Sequence, residues 1–153
     1  GELIAEAHAA GLIVVLWIYP RGKAVTDEKD PDLIAGAAGV ALCLGADFVK
    51  VNPPHDVEGQ TSAESLKIAS MAAGRTGLVC AGGSKADANV FLTQLHDQIH
   101  IGGACGNATG RNIHMRSDDE AIRLCNAISA ITLGDWSVED AEAVFRGEKE
   151  FSL

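Results

Sequence analysis

Four short apolar runs, each followed by a stretch of helical periodicity, constrain the fold of this chain more than any other feature. The runs span residues 12–18, 46–52, 77–81 and 99–101. Their first residues lie roughly 20–35 positions apart, a spacing typical of βαβ units. Parallel strands need crossover connections of this kind, so the pattern predicts an α/β protein built on a parallel sheet with four βα units.

The helical stretches carry ordinary start and stop signals. Pro31 opens a helix that ends before Gly45. Thr61 with Glu64, and Ser117 with Glu120, have the spacing of capping boxes. We therefore expect helices over residues 2–10, 31–44, 61–73, 87–95, 117–131 and 137–146. A short extra helix is predicted to begin at residues 112–114, in the glycine-rich loop region that follows the fourth strand.

Two architectures are compatible with this order: an open doubly wound sheet, or part of a (β/α)8 barrel. In both, ligands bind at the carboxyl ends of the strands. The distinctive side chains and loops of the chain follow strands at these ends, namely Trp17, Tyr19, Lys50, Asn52, residues 82–85 and residues 103–111. This concentration predicts a single functional site at that edge of the sheet.

Lys50 lies inside an apolar strand, between Val49 and Val51. The alternation of side chains along a strand places Phe48, Lys50 and Asn52 on one face. One reading is a lysine near a strand edge whose ammonium group reaches water. The other is a desolvated amine that forms a Schiff base with a carbonyl substrate. The polar residues gathered at the same edge favour the second reading.

Trp17 and Tyr19 are two residues apart on the first strand and so face the same way. They are either core aromatics or parts of the site, with Tyr19 as a proton donor and acceptor and Trp17 as a pocket wall. Arg21, in the turn that follows, either contacts a phosphate or is solvated.

Two glycine-containing loops predict a phosphate site. Gly82, Gly83 and Ser84 end the third strand, and Gly110 with Arg111 follows the fourth. Glycine lets backbone N–H groups approach an anion, and arginine contacts it through two N–H groups. The alternative is that these glycines only form tight turns.

The acidic composition argues against some functions. The formal net charge is −9, without a basic cluster, so nucleic-acid binding is not expected. No apolar run is long enough to span a membrane and no signal peptide is recognisable, so no membrane partner is expected. The four cysteines lack metal-site spacing and are expected to be free core thiols in a reducing cytosol.

Two further patterns do not predict cofactors. Gly103, Gly106 and Gly110 do not fit the dinucleotide fingerprint G-x-G-x-x-G. His96 and His100 are four apart, but the segment lacks the glutamate of a zincin and residues 99–101 have strand character. We therefore expect neither a cofactor nor a metal.

Four motifs together resemble the archaeal-type class I fructose-bisphosphate aldolases. They are WIYPRG at residues 17–22, ADFVKVN at 46–52, AGGSK at 81–85 and ATGRNI at 108–113, and the resemblance extends over about residues 12 to 132. It implies a (β/α)8 barrel of which this chain holds strands five to eight. It also implies that Lys50 is the Schiff-base lysine, Tyr19 the catalytic tyrosine and Trp17 an active-site tryptophan. The implied phosphate loops contain Gly82, Gly83, Gly110 and Arg111.

The chain also departs from that family. A (β/α)8 barrel takes about 250 residues, whereas this chain has 153. The family's first four strands are absent, and with them an aspartate used in acid–base work. We expect residues 1–153 to be a single domain, the carboxy-terminal half of a barrel with a short C-terminal helix. It should pair with the missing amino-terminal half or form a homo-oligomer.

The resemblance implies a reaction on sugar phosphates without a cofactor. Fructose 1,6-bisphosphate would be cleaved to, or formed from, dihydroxyacetone phosphate and glyceraldehyde 3-phosphate through an iminium on Lys50. One alternative is a related Schiff-base lyase or synthase that acts on another sugar phosphate. Another is a non-catalytic phosphate-binding half-barrel subunit.

Overall fold

The computed structural model describes residues 1–152 and contains one parallel sheet with helices along its length. Helix α1 (Glu2–Ala9) precedes strand β1 (Val15–Trp17). The chain continues through α2 (Pro31–Leu44), β2 (Phe48–Val51), α3 (Ala63–Ala73), β3 (Gly77–Ala81), α4 (Ala88–His100), β4 (Gly106–Ala108), α5 (Arg111–His114), α6 (Asp118–Gly134) and α7 (Val138–Arg146). The predicted α/β class with four βα units is confirmed.

The strand order decides between the two architectures. The four strands lie side by side in chain order, β1-β2-β3-β4, and every pair is parallel. A doubly wound sheet reverses its strand order at a switch point, and this sheet does not. Because crossovers are almost always right-handed, successive connections in one direction place their helices on one face. The sheet is therefore a half-barrel, a fragment of the (β/α)8 fold.

Burial of alternate strand residues identifies the covered face. Val49, Val51, Leu78 and Cys80 are buried against the helices, with Val49 and Val51 fully inaccessible. The opposite face, which corresponds to the inside of a barrel, is open: Val15 is 46% exposed and Trp17 is 67% exposed. The first apolar run spans residues 12–18, but only Val15–Trp17 form a strand, and that strand has a neighbour on one side only.

Two hydrophobic clusters stabilise the half-barrel. One lies between the covered face of the sheet and helices α2 and α3, around Ile34, Leu66 and Leu78. The other joins α4, α6 and α7 through side chains that include Leu92, Leu124 and Val144. Helices thus cover the outer face of the sheet, whereas its inner face and its carboxyl edge remain accessible to a ligand.

The fourth strand was predicted at the wrong place. Residues 99–101 were expected to be strand, but Ile99 and His100 belong to α4, where Ile99 packs with Leu92 and Leu95 in the second cluster. The strand is Gly106–Ala108, inside the stretch expected to be a loop, and it pairs with Val79–Ala81. Helical burial of Ile99 therefore outweighed the local alternation of apolar residues.

Two smaller expectations also need correction. The N-cap of α3 is Ser62, whose Oγ accepts from the Ser65 N–H at 3.1 Å, whereas Thr61 forms a bridge with His55. All four cysteines are free thiols, but only Cys80 is in the core, where burial raises the pKa of its thiol to about 12. Cys43, Cys105 and Cys125 are exposed.

Candidate active site

Lys50 lies in the central part of the carboxyl edge, on the open face of the sheet. It is the third residue of β2 and lies in register with Trp17 on one side and Val79 on the other. Its Nζ is 4.0 Å from the centre of the Trp17 ring. A cation held over an indole face is electrostatically favoured, so the ring constrains the position of the amine.

Most of the residues singled out from the sequence line one cleft. Its volume is about 330 Å³, and its wall contains Tyr19, Arg21, Lys50, Asn52, Ala81, Gly82, Gly83, Ala108, Gly110, Arg111 and His114. All four βα units contribute to this wall. The arrangement follows from the parallel sheet, since the carboxyl ends of its strands meet at one edge.

Two of the proposed site residues lie beside this cleft. Trp17 is not part of its wall, and its ring contacts Lys50 on the open face of the sheet. Ser84 lines a neighbouring cavity of about 290 Å³, which shares Asn52, Ala81, Gly82, Gly83 and Arg111 with the first. Ser84 is therefore not part of the wall that surrounds Lys50.

The cleft has an excess of positive charge, although the chain as a whole is acidic. Lys50, Arg21 and Arg111 line it, and no aspartate or glutamate of residues 1–152 is part of its wall. Arg21 is only partly available, because its Nε donates to Glu28 at 3.1 Å and its guanidinium lies over the Tyr19 ring. Lys85, which follows the loop at Gly82, is not part of the wall and donates to the Met115 carbonyl at 2.9 Å.

The two predicted phosphate loops are held together by side chains from α5. Arg111 Nε donates to the Gly83 carbonyl at 3.0 Å. Asn112, fully buried, donates through Nδ2 to the carbonyls of Gly82 and Ser84, and its Oδ1 accepts from the Ala86 N–H at 2.8 Å. Close packing also requires glycine at position 82, since a Cβ there would lie 2.6 Å from Thr109 Oγ1.

Asn112 and His114 are two polar residues of the site that were not assigned a role from the sequence. The short helix α5 was expected, and it places Asn112 under the loops and His114 in the cleft wall. A buried asparagine has no periodic signal of its own. The only available hint was a polar amide directly after a glycine–arginine pair.

A histidine–aspartate pair joins the loops that follow β1 and β2. His55 Nε2 bonds to Asp27 Oδ2, and His55 Nδ1 lies 2.8 Å from the Asp56 carbonyl. The Asp27 carboxylate, and then this carbonyl, raise the pKa of His55 above 6.5. The Lys29 N–H, and then the His55 ring, lower the pKa of Asp27 below 3.8.

These shifts predict a pH window for the connection between the two loops. The contribution of His55 to the stability of the folded state is complete below pH 6.5 and is lost as the pH rises through its raised pKa. The contribution of Asp27 to that stability is complete above pH 3.8 and is lost as the pH falls through its lowered pKa. In an NMR titration, the His55 midpoint should lie above 6.5 and should return toward 6.5 in Asp27→Asn. An identical midpoint in both proteins would show that the pair does not form.

Arg111→Ala should weaken the binding of a sugar phosphate and leave that of the free sugar little changed. A hydrogen bond to a charged group contributes about 1.5–3 kcal/mol, so we expect roughly a tenfold to hundredfold rise in Kd for the phosphate. Arg75→Ala is the matched control, because Arg75 lines a pocket at the other end of β2. Equal losses for both ligands would assign Arg111 a structural role only.

The fold and the cleft define a class of protein: a fragment of a (β/α)8 barrel with a lysine among glycine-containing loops at the carboxyl ends of its strands. The sequence model of the DeoC/LacD family aldolases matches residues 1–116. The chain belongs to this family.

Individual relatives agree with the family and define the extent of the match. Over 149 residues the chain is 57% identical to the fructose-bisphosphate aldolase/6-deoxy-5-ketofructose 1-phosphate synthase of Methanocaldococcus jannaschii. The aligned region covers 97% of this chain and 47% of the relative. A solved fructose-bisphosphate aldolase from Slackia heliotrinireducens is 73% identical, with a TM-score of 0.94, over 99% of this chain and 48% of that one.

A third relative relates the fold to lysine chemistry. It is a solved archaeal fructose-1,6-bisphosphate aldolase described as having its catalytic lysine covalently bound to the carbinolamine intermediate. It is 30% identical, with a TM-score of 0.73, over 86% of this chain and 49% of its own. The chain thus spans about half the length of the relatives it matches.

No helix within residues 1–152 combines the length and apolarity needed to cross a membrane.

Proposed function

We propose that the protein containing this chain is a class I, Schiff-base aldolase, a lyase that cleaves or forms fructose 1,6-bisphosphate. The products of cleavage are dihydroxyacetone phosphate and glyceraldehyde 3-phosphate. The observation that carries the proposal is the placement of Lys50 in one cleft with Tyr19 and the loops at Gly82 and Gly110. The similarity to fructose-bisphosphate aldolases over nearly the whole chain supports it.

In the proposed mechanism, the Lys50 amine attacks the C2 carbonyl of the bisphosphate, and loss of water leaves an iminium. The iminium is an electron sink. Tyr19 removes the proton of the C4 hydroxyl, the C3–C4 bond breaks, and its electron pair moves into the iminium to form an enamine. Glyceraldehyde 3-phosphate then leaves. Tyr19 gives the proton it took to C3 of the enamine, and addition of water to the resulting iminium releases dihydroxyacetone phosphate and restores Lys50.

Trp17 has a proposed role in this sequence because the iminium is a cation formed at the Lys50 nitrogen. That nitrogen lies 4.0 Å from the centre of the Trp17 ring. A cation–π contact of this kind is worth about 0.5–2 kcal/mol, more when water is excluded. The loops 82–84 and 110–111, with Arg111 and Arg21, orient the substrate by its phosphate groups.

The free thiols of the chain favour a reducing compartment, so we place the reaction in the cytoplasm.

The test is cleavage of phosphorylated ketoses by the protein in which this half-barrel is joined to its other half. Fructose 1,6-bisphosphate should be cleaved with a higher kcat/KM than fructose 1-phosphate, and free fructose should be cleaved least. Absence of cleavage for every phosphorylated ketose by a folded, complete barrel would refute the proposal and would leave the non-catalytic phosphate-binding subunit as the alternative.

A second candidate is a synthase that uses the same Schiff-base lysine on another sugar phosphate. The name of the Methanocaldococcus jannaschii relative, which includes 6-deoxy-5-ketofructose 1-phosphate synthase, favours it. The lysine chemistry is shared, so trapping at Lys50 does not separate the two functions. Product analysis with dihydroxyacetone phosphate and a series of aldehydes does, since the synthase should prefer an unphosphorylated acceptor.

We also propose that this chain associates through its open sheet face. Trp17 is 67% exposed there, and strands β1 and β4 each have a free edge among the described residues. The occupant is the other half of the barrel or a second copy of this chain.

At micromolar concentration the isolated chain should give a light-scattering mass at least twice that of one chain. Trp17→Ser, which removes the largest exposed apolar side chain of this face, should reduce the associated fraction. Met71→Ser is a control, because Met71 is also a strongly exposed apolar side chain, at 81%, but lies on helix α3. A folded monomer would contradict the prediction.

A further inference from the structure

His96 and His100 form a pair on the surface of α4 that the proposed chemistry does not use. They are four residues apart in one helix and therefore share a face. Their ring centroids are 4.2 Å apart with a tilt of 39°, and their side chains are 30% and 31% exposed. A strand over residues 99–101 was one of two reasons for expecting no metal here, and helix α4 removes it. The missing glutamate of a zincin is unchanged.

Carboxylates face the same nitrogen of both rings. His96 Nδ1 lies 3.3 Å from Asp97 Oδ1, and His100 Nδ1 lies 3.5 Å from Asp135 Oδ1. When a carboxylate holds Nδ1–H, the neutral imidazole presents its lone pair at Nε2. A carboxylate that accepts from one ring nitrogen in this way fixes the ring and makes the other nitrogen a better metal ligand. Neither His96 Nε2 nor His100 Nε2 has a hydrogen-bond partner among residues 1–152, so both atoms are accessible to a metal ion.

We propose that His96 and His100 are a two-histidine clamp for one divalent transition-metal ion, with water completing the coordination. Two histidines at this spacing on a helix are a known arrangement for zinc. No group of three or more His, Cys, Asp and Glu side chains within residues 1–152 is placed to hold a metal, so the protein supplies two ligands. Imidazole selects copper, nickel and zinc, whereas magnesium and calcium prefer oxygen.

The clamp lies apart from the Lys50 cleft, whose wall contains neither histidine. It therefore does not depend on the proposed function, and its expected effect is on stability. Both ligands are in place only when the last turns of α4 are helical. Asp135, at the end of α6, connects that turn to the adjacent helix. A metal that binds the folded state and not the unfolded chain raises the melting temperature.

The test is calorimetric titration of the untagged chain with copper, nickel and zinc chlorides. One site per chain is expected, with copper bound more tightly than nickel or zinc. His96→Gln and His100→Gln should each weaken binding at least tenfold, while His8→Gln, which changes an exposed histidine on α1, should not. Absence of binding by the unchanged chain, unaltered binding in both α4 variants, or an equal loss in His8→Gln would overturn the proposal.

Two further measurements separate coordination from a general effect on folding. Nickel should raise the melting temperature of the unchanged chain but not of His96→Gln, and magnesium should have no effect on either. Asp135→Asn keeps a residue that tolerates the positive φ of 58° at this position, and it should weaken binding up to roughly tenfold. An equal shift with magnesium, or an equal nickel shift in His96→Gln, would refute the clamp.

Discussion

Lys50→Arg should abolish covalent trapping of dihydroxyacetone phosphate by borohydride and should lower kcat for cleavage by at least about a thousandfold, in line with the loss of a covalent nucleophile in other enzymes. Arginine keeps the positive charge over the Trp17 ring, but a guanidinium is protonated at any ordinary pH and cannot attack a carbonyl. Because the positive charge is kept, any loss of activity in this variant reflects loss of the nucleophilic amine and not loss of charge at position 50. Peptide mass spectrometry of the trapped, complete barrel should place the adduct on Lys50.

Two other lysines provide the controls. Lys67 pairs with Glu64 on the surface of α3, and Lys85 donates to the Met115 carbonyl outside the cleft. Lys67→Arg and Lys85→Arg should both trap substrate like the unchanged protein. An adduct on either of these residues, or a complete barrel with no modified lysine, would show that the mechanism assigned to Lys50 is wrong.

Asn112→Asp should unfold the phosphate loops and strongly destabilise the protein. The buried amide donates to the carbonyls of Gly82 and Ser84, and a carboxylate cannot donate to either. Each buried polar group left without a partner costs about 1–3 kcal/mol, so we expect a loss of about 3 kcal/mol or more in the free energy of unfolding. A typical domain has only about 5–15 kcal/mol in total. Urea denaturation measures the change.

Asn89→Asp is the matched control for charge and shape, because Asn89 is exposed in the first turn of α4. There an added carboxylate interacts favourably with the helix dipole, and its effect should stay within about 0.5 kcal/mol. Sugar-phosphate affinity should fall in Asn112→Asp and be unchanged in Asn89→Asp. If the two variants are equally stable and bind equally, Asn112 does not hold the loops.

The parts of the fold that follow local rules were predicted well. Helix α2 begins at Pro31 and ends at Gly45, which has the left-handed φ of 85° that favours glycine. The capping box of Ser117 and Glu120 starts α6 as expected. Such signals involve residues three or four apart, so they act in any fold that leaves the helix end exposed.

The candidate site was found from the sequence because a parallel sheet gathers the residues that follow its strands. Tyr19, Arg21, Lys50, Gly82, Gly83, Gly110 and Arg111 line one cleft as that rule requires. The roles of these residues, together with Ser84 and Trp17, remain predictions. Asn112 was not assigned a role, since its function depends on three hydrogen bonds to a loop about 30 residues away.

By itself, the sequence determined the α/β class, most helix boundaries and the position of Lys50 near the carboxyl end of a strand. Periodicity and capping are local properties, and they suffice for these. Only the tertiary structure decided that Gly106–Ala108 is the fourth strand, because these small residues become a strand by pairing with Val79–Ala81. It also decided that all the strands run in chain order, which leaves the inner face of the sheet open. Pairing and coverage depend on contacts between distant segments, and no local pattern encodes them.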